Sequence, residues 1–163
     1  MVLRFADLRN NYPVPDPEKS DEENRRAFYN TLGGQWPTLV NAEHYKNTCA
    51  TRLSVALKKS GASISDTYKE AIEGNGSPLI IKVKTMSEYL KATVGNSYWG
   101  MSKNPGTTIG PGDVPGVTGI LVYHVAWSNA TGHFDLWTGS DFLGSGNFSD
   151  IKDGFALELW KIS

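Results

Sequence analysis

Short apolar runs and apolar–polar alternation dominate the second half of the chain, and they predict strands at residues 79–84, 118–127, 133–138 and 155–162. Between Gly119 and Trp127, Leu121, Tyr123, Val125 and Trp127 oppose Ile120, Val122, His124 and Ala126. Both sets are largely apolar, which marks a central strand covered on both faces. Phe155-Ala156-Leu157-Glu158-Leu159-Trp160 predicts the closing strand.

Three helices are predicted from their ends. Ser20-Asp21-Glu22-Glu23 forms a capping box and Gly33-Gly34 stops the helix that follows. Thr85-Met86-Ser87-Glu88 repeats the device before Tyr89, Leu90 and Val94, which share a face, and Gly95 closes that helix. Between them, Asn47 or Thr48 caps a helix with Leu53, Ala56 and Leu57 as its apolar stripe, and Gly61 ends it after Lys58 and Lys59. Helices first and antiparallel strands after predict an α+β domain with the N-terminal helices packed on one face of an antiparallel sheet. The Gly/Pro-rich stretch 95–116 is too long for a simple connection and is expected to wall a binding groove.

Composition narrows the function. A chain of 163 residues, 39% hydrophobic, is large enough for one cored domain spanning 1–163. Acids and bases nearly cancel at 17 against 16, so no global field draws nucleic acid or an anionic membrane. Charge interrupts Met1-Val2-Leu3-Arg4-Phe5-Ala6-Asp7 before a signal-peptide core can form. No apolar stretch approaches the ~20 residues of a membrane span, so synthesis in the cytoplasm, without membrane insertion, is expected. One cysteine excludes an intramolecular disulfide, and with three histidines it is too little for a structural zinc site.

That leaves Cys49 as a buried small hydrophobe or a reagent. It lies in the first turn of its helix, where free amides and the helix dipole favour an anion, and a thiolate is the form of cysteine that attacks carbonyls. The first-turn amides, that of Cys49 included, are expected to serve as an oxyanion hole. A proton acceptor is then needed. His44 precedes the helix cap and would have to fold back, and His124 sits inside an apolar strand. His133 follows the turn Ser128-Asn129-Ala130-Thr131-Gly132, with Gly132 leaving room beside it, and is the best base. The group that orients the imidazole is Asp135, on the same strand face, or Asp141, after the Trp137-Thr138-Gly139-Ser140 turn. His133 and Asp135 supply two metal ligands and no third, and no cofactor-binding motif is present, so neither metal nor cofactor is expected.

Several segments resemble a known family in the order they occur along the chain. Asn47-Thr48-Cys49-Ala50-Thr51-Arg52-Leu53-Ser54 looks like the nucleophile helix of the fourth family of type VI secretion amidase effectors, which are NlpC/P60-like cysteine peptidases. Phe5-Ala6-Asp7-Leu8-Arg9-Asn10-Asn11-Tyr12-Pro13, Met86-Ser87-Glu88-Tyr89-Leu90 and Gly119-Ile120-Leu121-Val122-Tyr123 are similar as well, and Trp127 to Trp137 is the strongest match. The resemblance implies a papain-like fold with Cys49 as nucleophile and His133 as base. It implies hydrolysis of the bond between D-glutamate and meso-diaminopimelate in peptidoglycan stem peptides. It also implies secretion without a signal peptide, by a dedicated apparatus, into a recipient's periplasm, and a cognate immunity protein. In the family pattern an aspartate follows the histidine by eleven positions, in a loop often flanked by cysteines; here that position is Gly144 and those cysteines are absent. Asp141 matches after a short deletion, and Asp135 is the in-strand substitute. The alternatives are a non-catalytic wall-binding or inhibitor module and an acyltransferase of the same fold.

Overall fold

The computed structural model describes residues 2–128 and 131–163. Five α-helices are formed among them: α1 (Phe5–Asn11), α2 (Asp21–Leu32), α3 (Cys49–Lys59), α4 (Val83–Thr93) and α5 (Phe148–Lys152). Strands β1 (Ala71–Ile72) and β2 (Pro78–Leu79) make a small ribbon. Strands β3 (Trp99–Ser102), β4 (Gly119–His124), β5 (Gly132–Trp137) and β6 (Ala156–Lys161) make the main sheet, in the order β3-β6-β4-β5, antiparallel throughout. No helix among the described residues is long and apolar enough to cross a membrane.

The register explains the two-sided apolar pattern of β4. Ile120 pairs with Leu136 and Trp160, and Val122 pairs with Phe134. These side chains join Leu53, Ala56 and Leu57 of α3, Leu8 of α1 and Met86 and Leu90 of α4 in one core. The opposite face, with Leu121, Tyr123, Trp137, Leu157 and Leu159, is covered by Ile109, Val114 and Ile151 from the connecting segments. The helices thus occupy one face as the element order predicts, while loops and α5 keep water from the other. The amide of Phe5 donates to the Ser163 carbonyl at 3.0 Å and ties α1 to the end of the last strand.

Three expectations are corrected. The run 79–84 is not a strand, because β2 ends at Leu79 and α4 begins at Val83. The capping box at Thr85 does not form either, since α4 has already started. The segment leading into α4 is held by Glu70, whose carboxylate accepts the Ile81 and Lys82 amides, each at 2.9 Å, and the Thr85 hydroxyl at 2.8 Å. Val94 lies beyond the helix and is exposed, whereas Gly95 closes it as expected, its amide bonding the Leu90 carbonyl. The 95–116 stretch does not wall the cleft at Cys49; it supplies edge strand β3 and buries Ile109 and Val114 against the sheet. By contrast, the Ser20–Glu23 capping box is present in full. The helix α1 and the edge strand β3 carry too few apolar positions to announce themselves in the sequence.

Candidate active site

The segment before α3 sets the site. Thr48 occupies the N-cap position, but the capping bond is made by Asn47, whose Oδ1 accepts the Cys49 amide at 3.1 Å. The Asn47 Nδ2 donates to the Gly132 carbonyl at 3.0 Å. One side chain therefore couples the start of the helix that carries Cys49 to the start of β5, which carries His133. The Cys49 amide is consequently not a free oxyanion donor, contrary to expectation; Asn47 must give it up for it to act as one. Gly132 is required where it stands: at φ +155, a Cβ there would lie 2.3 Å from the Tyr123 carbonyl oxygen. Asn129 and Ala130 of the preceding turn lie outside the described residues.

Cys49 and His133 are both buried, at 3% and 8% exposure, and both line one cleft with Tyr12, Arg25 and Arg52. Asp135, fully buried, meets the imidazole: His133 Nε2 lies 3.0 Å from Asp135 Oδ2. An ionised carboxylate only accepts, so Nε2 carries the proton and Nδ1 is left for the thiol. The remaining lone pairs of Asp135 are filled by the amides of Leu136 at 2.8 Å, Gly144 at 2.7 Å and Gly146 at 2.7 Å. A buried carboxylate so completely bonded is a fixed anion. Burial alone favours the neutral imidazole, but hydrogen bonds from Asp135 and Cys49, with the charges of both, outweigh it and push the His133 pKa up to about 10. The imidazole is therefore held protonated beside Cys49.

Asp141 lies elsewhere: it is exposed in a turn, its amide bonded to the Thr138 hydroxyl at 3.1 Å and its carbonyl accepting the Thr138 amide. His44 is exposed in a short 3-10 turn, and His124 faces Glu158 at 3.4 Å, so neither approaches Cys49. Among the described residues no three His, Cys, Asp or Glu side chains converge in a way that would hold a metal ion.

Two arginines of the cleft escaped the sequence reading. Arg25 stands on the apolar stripe of α2 with Phe28, Tyr29 and Leu32, and a charge at i, i+3, i+4, i+7 spacing was the available signal. Arg52 is 5% exposed; its guanidinium stacks on Phe28 at 4.4 Å and bonds the Thr48 hydroxyl at 2.8 Å and the Pro13 carbonyl at 2.6 Å. Burial lowers its pKa from the ordinary arginine value, opposed by neighbouring Tyr12, Tyr29, Asp135 and Cys49. Burial, then Asp135 and Cys49, raise the Tyr12 phenol well above its ordinary value and keep it protonated.

Known proteins share this fold. No curated protein sequence matches the chain. Solved structures do: the type VI effector Tae4 of Enterobacter cloacae superposes with a TM-score of 0.76 at 23% identity, covering 100% of this chain and 98% of that one. Tae4 in the Tae4-Tai4 effector-immunity complex from Enterobacter cloacae gives 0.77 at 22%, and that from Salmonella Typhimurium 0.78 at 22%, each covering 100% of both chains. The fold is therefore the papain-like, NlpC/P60-type α+β fold. The family model described as "Type VI secretion system (T6SS), amidase effector protein 4" matches residues 45–160, from just before α3 to the last strand. The chain belongs to this family of type VI secretion amidase effectors, Tae4.

Proposed function

We propose that residues 1–163 act as one catalytic domain that cleaves the amide between the D-glutamate γ-carboxyl and the meso-diaminopimelate amine of peptidoglycan stems, with Cys49 as nucleophile, His133 as acid and base, and Asp135 as the group that holds the imidazole. The observation that carries this is the buried hydrogen-bonded pair of His133 and Asp135 beside Cys49 at the head of α3. The Cys49 thiolate attacks the carbonyl carbon, a C–S bond forms and the π pair moves to oxygen. Collapse breaks the C–N bond while imidazolium His133 gives its proton to the departing amine. Neutral His133 then takes a proton from water as that water attacks the thioester, and Cys49 leaves as thiolate. Asp135 keeps Nε2 protonated throughout, so that Nδ1 faces the reacting atoms.

The family supports a setting for this reaction: the chain is delivered by a secretion apparatus to the wall in a recipient's periplasm, and an immunity protein protects its producer. The solved relatives bound to Tai4 suggest the kind of partner.

The test is digestion of purified cell wall. Wild-type protein should release fragments bearing a new diaminopimelate amine, and Cys49→Ala should release none. Equal digestion by Cys49→Ala, or cleavage at another bond, would reject the assignment.

A further inference from the structure

Arg25 is 91% buried, being 9% exposed, yet of its guanidinium only Nε has a partner, the Val40 carbonyl. Its two terminal nitrogens have no hydrogen-bond partner among the described residues and are not sealed from solvent, and Arg25 lines the cleft with Cys49. Among the described residues no carboxylate lies within ion-pair distance of Arg25 or of Arg52. Asp21 on the rim pairs with neither, and rim Lys46 is engaged by Glu43 at 3.2 Å. A buried guanidinium without an ion-pair partner is costly, and a planar fork with free donors fits a carboxylate with two parallel bonds. Arg52 is anchored by backbone carbonyls and contributes field; Arg25 has the free hand.

We infer that Arg25, backed by Arg52, forms a carboxylate-binding subsite of the Cys49 cleft that takes the free α-carboxylate of the γ-linked glutamate on the acyl side of the scissile bond. This rests on the cleavage proposed above. The stem peptide offers other carboxylates, but distance selects among them. The glutamate α-carboxylate is separated from the scissile carbonyl by three carbons, whereas the free carboxylate of diaminopimelate lies five carbons beyond the scissile nitrogen. A cleft of about 160 Å3 that contains both Cys49 and Arg25 suits the nearer group. The γ linkage itself is what leaves this carboxylate free.

Three synthetic stem peptides test it with the unaltered enzyme: one unmodified, one amidated at the glutamate α-carboxyl, one amidated at the distal diaminopimelate carboxyl. A charge-assisted bond of about 1.5–3 kcal/mol corresponds to a loss of roughly 10- to 100-fold in kcat/KM for the α-amidated peptide. The distally amidated peptide should react at the unmodified rate. Arg25→Gln should bring the ratio of unmodified to α-amidated rates towards one. Equal rates on unmodified and α-amidated peptides would overturn the subsite, as would a greater loss on distal amidation or an unchanged ratio in Arg25→Gln. Calorimetric binding of the same peptides to Cys49→Ala protein separates the two proposals. Binding weakened by α-amidation in the absence of any cleavage by the unaltered enzyme rejects the reaction and keeps the subsite; cleavage indifferent to the carboxylate does the reverse.

Discussion

The amide of Gly144 donates to the carboxylate of Asp135 at 2.7 Å, across nine residues of chain. Gly144 is the position at which the family pattern places an aspartate, eleven residues after the histidine. Here the carboxylate comes from the strand and the loop supplies amides to it. The exchange is mutual: a Cβ on Gly144 would lie 2.8 Å from Asp135 Oδ1 and 2.9 Å from the Tyr12 hydroxyl, so a side chain and the strand carboxylate compete for one space.

Gly144→Ala should therefore displace the Asp135 carboxylate and cost about 1–3 kcal/mol, the range for leaving a buried acceptor unsatisfied. For a chain of this length that lowers the melting temperature by roughly 3–10 °C. Wall digestion should fall with it. A melting temperature equal to that of the wild type would show that the loop is not pinned by Asp135.

Asp135→Asn should remove most of the activity, because an amide can offer the ring a donor where an acceptor is needed and releases the wrong tautomer. Since Asp135 raises the His133 pKa, its loss should move the alkaline limb of the kcat/KM profile to lower pH. Asp141→Asn should leave rate and profile unchanged. A large effect of Asp141→Asn with little from Asp135→Asn would reverse the assignment of the third residue.

The ionisation of His133 also predicts how stability depends on pH. Its folded-state pKa is raised, from 6.5 to about 10, so the native state holds a proton that the unfolded chain has already released in between. The corresponding stabilisation is fully present below pH 6.5 and is lost as pH rises through about 10. Urea denaturation at a series of pH values across that window should show stability declining, and His133→Gln should flatten the decline. An equal slope in the variant would assign it to other groups.

How much of this was legible follows the physics of each element. The strands β4 and β5 are buried on both faces and leave an apolar signature, β6 alternates buried with half-buried positions, and α2 declares its start through a local capping box. The start of α4 is not legible because the Glu70 carboxylate that holds the segment leading into it is remote in sequence. Cys49 and His133 were recognisable by residue type and by position at element starts. The choice between Asp135 and Asp141 was not, because it turns on where the backbone amides of 144–146 point, and no side-chain pattern encodes that. Arg25 was written into the apolar stripe of α2 but reads there as an ordinary amphipathic interruption.

The pinning of residues 144–146 by Asp135 has a consequence for where the enzyme can mature. With one cysteine in the chain, the loop beside the imidazole is closed by a carboxylate and amides, not by oxidation. Its shape is then indifferent to the thiol–disulfide poise of its surroundings. The same loop closes in a reducing compartment and stays closed in an oxidising one, so its shape needs no redox step to form and no reductase can undo it.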